Sequence, residues 1–123
     1  LRTAIDTEAY ELYLRGRYGM WSWNEDNLAR AEALFERAVE RDPSFGDAWA
    51  SLAETTVLRH EIHQVRDREA AYARATDAAR RALASAPTSA EGHAALSHIL
   101  WHERWWRLAE EEHRQILRAA LQA

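Results

Sequence analysis

The sequence predicts an all-α chain of three consecutive helix pairs, and three observations carry that reading. Breakers are scarce: 123 residues contain four Gly and two Pro, and Ala, the strongest helix former, is the commonest residue. Few segments read as strands, because β-branched residues are sparse and never alternate with polar ones. The two prolines, Pro43 and Pro87, stand 44 residues apart, and each follows an Ala-rich amphipathic stretch with the same offsets. Ala31, Phe35 and Ala38 precede Pro43; Ala75, Ala79 and Ala82 precede Pro87.

The elements follow in order. A first helix covers about 4–20 and carries the loosest copy of the unit, Glu8-Ala9-Tyr10 then Tyr13-Leu14. A short insertion, Met20 to Asn24, separates it from a second helix over 25–41. After Pro43, Ser44 with Asp47 gives a hydroxyl followed three residues on by an acid, a helix-start pattern that opens a third helix over 45–61. That helix holds Asp47-Ala48-Trp49 and Leu52-Ala53. Thr88 with Glu91 opens a fifth helix over 89–103 in the same way, with Glu91-Gly92-His93 and Leu96-Ser97 at matching offsets. The fourth helix spans 67–85 and the sixth 105–121. From Ala75 to Ala109 is 34 residues, the period of a helix–turn–helix array. The longer Pro-to-Pro spacing places a surplus of about ten residues near 60–69. One domain, 1–123, thus divides into units of about 7–43, 44–87 and 88–121. Ala31, Ala38, Ala53, Ala75, Ala82 and Ala109 mark close helix approach, and Phe35, Trp49, Leu52 and Leu96 fill the space between.

Composition excludes several function classes. No cysteine means no disulfide framework and no thiolate metal site. The net charge of −4 disfavours direct nucleic-acid binding, which wants a basic face. No apolar run approaches a membrane span and no leader opens the chain, so a cytoplasmic protein is expected. Leu1 in place of a start Met reads as a piece of something longer. No Gly-rich phosphate loop, nucleophile elbow or cysteine nucleophile appears, so neither an enzyme nor a cofactor is expected.

These residues and spacings resemble tetratricopeptide repeats. The pattern is best kept at Ala31, Phe35, Ala38 and Pro43, at Trp49, Leu52 and Ala53, and at Ala75, Ala82 and Pro87. The third unit departs from it, with His93 and His113 at aromatic positions and no closing Pro. The segment Ala9 to Tyr18 and the Trp-rich stretch Trp101 to Trp106 are similar to a bacterial repeat region joined to winged-helix regulators, nucleotidyl cyclases or signalling kinases. The absence of Lys among 16 basic residues fits a GC-rich bacterial gene. The resemblance implies a short right-handed α-α superhelix of about six helices acting as a regulatory interaction module.

In such a stack the first helix of each pair lines the inner face. Spacing from Trp49 puts Asp47, Ala50, Glu54, Val57 and Leu58 there. The same offsets give Glu91, Ala94, His98, Trp101 and His102 in the third unit, and Glu8, Glu11, Arg15 and Tyr18 in the first. Their sum is an acidic groove with an apolar, His-bearing end, suited to a basic or amphipathic protein segment. The alternative is a merely solvated face. The resemblance also implies a contrast: repeats that clamp an acidic C-terminal tail need a basic groove, so no such binding is expected here.

Other candidates are weighed against plainer readings. His98 and His102, four apart, can point two imidazoles at one metal, but two donors fall short of the three or four required, so no metal is expected. His60 and His63 flank Glu61 in a string too short for a zinc-protease motif, and read as locally hydrogen-bonded histidines. Trp105 and Trp106 are expected to close the end of a helix pair, Trp105 being buried there, while Trp21 and Trp23 suit either packing or docking. The leading expectation is therefore a peptide- or helix-binding module. A homo-oligomerisation module using Leu108, Ile116, Leu117 and Leu121 of an open last helix is the second reading, and a ligand or metal sensor at His98 and His102 the third.

Overall fold

A computed structural model describes residues 4–122; residues 1–3 and 123 of the expected domain lie outside the described residues. The chain forms α1 (Thr7–Gly19), a 3₁₀ turn (Met20–Ser22), α2 (Glu25–Arg41), α3 (Gly46–His63), α4 (Arg68–Ser85) and α5 (Ala90–Gln122). The described residues contain no strand.

Four helices begin at a side chain that accepts an otherwise orphaned N–H. The Asp6 carboxylate accepts from the Ala9 N–H at 3.0 Å, Asn24 from Asp26 and Asn27, Asp67 from Ala70 at 2.8 Å, and the Ser89 hydroxyl from Gly92 at 3.0 Å. Two expected caps move. Ser89, one residue beyond Thr88, caps α5. Ser44 does not cap α3; its N–H and hydroxyl both donate to Asp42 Oδ1, bracing the turn. Phe45 occupies the cap position of α3 and makes no side-chain cap, because its ring carries no acceptor; it is buried in the core instead.

The 44-residue repeat is visible in the backbone itself. Asp42 N–H donates to Ala38 O, and Ala86 N–H to Ala82 O; Phe45 N–H donates to Asp42 O, and Ser89 N–H to Ala86 O. The residues ending α2 and α4 share one conformation, Asp42 at φ −138°, ψ 88° and Ala86 at φ −144°, ψ 85°. Even the following side chains match. Trp49 Nε1 donates to Pro43 O at 2.8 Å, and His93 Nε2 donates to Pro87 O at 2.7 Å.

The helix count corrects the sequence reading. α5 runs unbroken for 33 residues, about 50 Å at the helical rise, where two helices meeting near residue 104 are expected. The reason is local: from Leu100 to Glu112 no Gly, Pro or capping Ser, Thr, Asn or Asp interrupts the backbone hydrogen bonds. The third unit therefore does not fold back on itself. Ala109 is only partly buried, and residues 111–122 are exposed throughout.

Packing is sequential, each helix against the next, with α3 also touching α5. Ala31, Ala38, Ala53, Ala75 and Ala82 are buried as the small residues of these contacts, with Phe35, Phe45, Leu28, Met20 and Ile99 filling the core. Among the glycines the tightest packing is at Gly16, where a Cβ would lie 2.6 Å from the Phe35 ring.

One charged residue lies within this core. Glu32 of α2 is 1% exposed and meets three guanidinium groups from three segments. They are Arg59 of α3 at 3.0 Å, Arg66 of the following loop at 2.7 Å and Arg74 of α4 at 3.1 Å. Arg59 also reaches Glu25, and Arg74 also pairs with Glu36. Burial alone would raise the Glu32 carboxyl, but hydrogen bonds from Arg66 and Arg59 outweigh it and hold the pKa below its ordinary 4.5.

Two outcomes are expected. Glu32→Ala takes the carboxylate from Arg66 and one of two from Arg59 and Arg74, leaves a buried gap, and should cost about 3–5 kcal/mol in urea unfolding. The unfolded chain titrates Glu32 at 4.5 and the folded chain below it, so this stabilisation is complete above pH 4.5 and is lost as pH falls through the folded value. Gly16→Ala should cost about 1–3 kcal/mol by overpacking against Phe35, whereas Gly19→Ala, whose Cβ would meet nothing closer than 3.9 Å, should be tolerated.

Candidate functional site

Side chains of α1, α3 and the start of α5 come near one another. Arg17 of α1 donates to the Ser51 hydroxyl of α3 at 3.5 Å. Tyr13 sits beside Ser51, within electrostatic reach of Asp47 and Glu91, and packs on Phe35 and Phe45. Burial pushes its phenol pKa up. Glu54 lies among Arg17, His98 and Glu91. Burial raises its carboxyl above 4.5, the Glu91 charge adds to that, and Arg17 and His98 only partly oppose it. Asp47, Glu54, Glu91 and His98 thus gather as the spacing from Trp49 requires.

Other expected face residues fall elsewhere. Val57 is 1% exposed and belongs to the core; Ala50 is likewise buried, and Leu58 is half-buried against the core. In α1 the register is shifted by two residues. Gly16, not Leu14, is the small residue of close approach equivalent to Ala53, which turns Tyr10, Tyr13 and Arg17 toward α3. Glu8 instead pairs with Arg41 of α2 at 3.1 Å, and Arg15 lines an outer groove with Leu34 and Arg30. Glu11 is exposed. Tyr13 and Arg17 are the face residues missed in the sequence, and the small-residue register at Gly16 is the signal that locates them; the buried Ser51 accepts from Arg17 beneath them.

Beyond Glu54 the face ends in a second constellation. Glu61, in the last turn of α3, reaches across to α5. Its Oε1 is 3.3 Å from His98 Nε2 and 3.6 Å from His102 Nδ1. One donor atom from each of the three lies within 4.8 Å of the others. The helical spacing already pairs the two imidazoles; the third donor comes from another helix, and no local motif encodes it. Beside the cluster is a cavity of about 520 Å³ walled by Trp101, Trp105, Trp106, His60 and Gln64. Trp101 is exposed at its mouth.

The remaining candidates resolve individually. His60 Nδ1 donates to Arg66 O at 2.9 Å, the local bond expected of it. His63 Nε2 bonds farther away, to Trp23 O at 2.9 Å, which joins the two insertions. Trp105 is 51% exposed where burial is expected, because the straight α5 brings no helix back over it. Trp106 lies at 5.1 Å from the Arg68 guanidinium, and Trp21 at 5.8 Å from that of Arg17. Trp23 is half-exposed, in the left-handed conformation at φ 62°. Among the described residues no helix is long and apolar enough to cross a membrane.

Neither a family model, nor a curated protein, nor a solved structure matches the chain.

The raised Glu54 pKa has a measurable consequence. The unfolded chain ionises this group at 4.5 and the folded chain only above that, so ionisation costs stability as pH rises past 4.5. Glu54→Gln, neutral throughout, is expected to raise Tm at neutral pH and to leave it unchanged below about pH 4.

Proposed function

We propose that this chain is a non-enzymatic protein-interaction module of the tetratricopeptide type, a short right-handed superhelix that binds a basic or amphipathic segment along the face of α1, α3 and α5. The single observation that carries the reading is Glu54. A half-buried carboxylate whose ionisation is opposed by burial and by Glu91 is best satisfied by an incoming cation. Asp47 and Glu91 extend the same sign along the face, while the half-buried Tyr13 offers apolar contact. A guanidinium or ammonium would meet the carboxylates, and an aromatic or aliphatic anchor would pack beside them.

The repeat reading is supported by the matched turns at Pro43 and Pro87 and by the shared role of Trp49 and His93. In the segment Ala9 to Tyr18, whose resemblance points to bacterial regulators and cyclases, Tyr10, Tyr13 and Arg17 turn toward α3. That combination suits the regulatory part of a larger cytoplasmic signalling or transcription-regulator protein. Nucleic acid and membrane are not the partners in this reading.

A fluorescence titration tests it. A basic amphipathic helical peptide should bind with an affinity that falls as salt is raised, and Glu54→Arg or Glu91→Arg should weaken it about tenfold each. A peptide ending in an acidic C-terminal tail should not bind. Equal affinity for both peptides would overturn the reading.

The second reading, self-association through the end of α5, has its own observation: Leu108, Ile116, Leu117 and Leu121 are all exposed on that helix. Light scattering over a concentration series distinguishes it, since a concentration-independent monomer removes the dimer.

A further inference from the structure

We propose that Glu61, His98 and His102 form a binding site for a divalent first-row transition ion, with Zn2+ as the ion of choice, which clamps the end of α3 to α5.

The donor set argues for this class of ion. Two imidazoles and one carboxylate are hard-to-borderline ligands that suit Zn2+ and its neighbours and are too few in oxygen for Ca2+. The geometry is close to what is required. A four-coordinate ion with bonds of about 2.0–2.1 Å separates its ligand atoms by roughly 3.3–3.4 Å. Glu61 Oε1 already stands 3.3 Å and 3.6 Å from the two imidazole nitrogens, and a donor atom from each residue lies within 4.8 Å of the others. All three side chains are partly exposed, and closing the remaining gap asks for shifts on the order of 1 Å in their donor atoms.

The scaffold favours the site as well. His98 and His102 are one helical turn apart on α5, in contact with each other at a ring separation of 4.3 Å. Glu61 stands two residues beyond Arg59, which the Glu32 network anchors, so the helix end carrying the carboxylate is held against α2 and α4. Three protein donors leave a fourth position open, as in zinc sites that bind water or a ligand. The cavity walled by Trp101, Trp105 and Trp106 adjoins the cluster, so that position is served by an aromatic pocket of about 520 Å³.

This inference is independent of peptide binding at Glu54. Its test uses the full chain and the metal alone. Isothermal titration with Zn2+ should give one site per chain, and Zn2+ should raise Tm in a manner reversed by a chelator. Co2+ in its place should give visible absorption of four- or five-coordinate geometry. His98→Ala, His102→Ala and Glu61→Gln should each weaken binding more than about tenfold. His113→Ala and His63→Ala, at histidines outside the cluster, should leave it unchanged. Circular dichroism of each variant checks that it is folded, and Glu61→Gln, being isosteric, keeps the test decisive if an alanine variant unfolds. No heat and no Tm shift with Zn2+, or binding that persists undiminished in Glu61→Gln and the folded histidine variants, would overturn the proposal.

Discussion

The arrangement of this chain hangs on one buried carboxylate. Glu32 draws Arg59, Arg66 and Arg74 onto α2, and through them it fixes α3, the loop that follows and α4. An ion pair in a core is not a bargain in itself, because desolvation offsets much of the attraction. Its effect is on geometry: the three pairs hold only when α2, α3, the following loop and α4 meet around Glu32 as they do here. Arg59 and Arg66 bracket the C-terminal end of α3, so the same network holds the backbone that carries His60 and Glu61. The aromatic cavity and the histidine cluster are built from there.

Small residues do the complementary work. Gly16 against Phe35, and Ala31, Ala38, Ala53, Ala75 and Ala79 elsewhere, let the helices approach closely, and the turns after α2 and α4 then repeat nearly the same angles. Repeated turns carry equivalent residues of α3 and α5 to equivalent places. Asp47 and Glu91 correspond, as do Glu54 and His98, and α1 joins them through Tyr13 and Arg17. The acidic character of the face follows from which residues occupy those positions, and its depth from the core beneath, which half-buries Glu54.

Much of the fold was legible because it depends on local signals. The alanine offsets before Pro43 and Pro87 located α2 and α4, and the residues after each Pro located α3 and the start of α5. Three features were not legible. The break expected near Arg104 rested on the repeat period alone, with no Gly, Pro or cap to enforce it, and α5 continues. Spacing sets the register of α1 from Tyr10, whereas steric contact between Gly16 and Phe35 decides it, and that contact joins two helices. Spacing also puts Val57 in the groove, but the packing of α3 against its neighbours turns it inward. Helical spacing alone places His98 and His102 on one side of α5. Glu61 and the Glu32 network required knowing which helices meet.

In the proposed function α1, α3 and the start of α5 form one binding face for a cationic segment. Chemical-shift mapping of the full chain during addition of a basic amphipathic peptide tests it most directly. Shifts are expected to concentrate at Tyr13, Arg17, Glu54, Glu91 and His98, with the outer groove around Arg15, Arg30 and Leu34 unmoved. Shifts centred on that outer groove or on residues 111–122, with the α1–α3–α5 face silent, would contradict it.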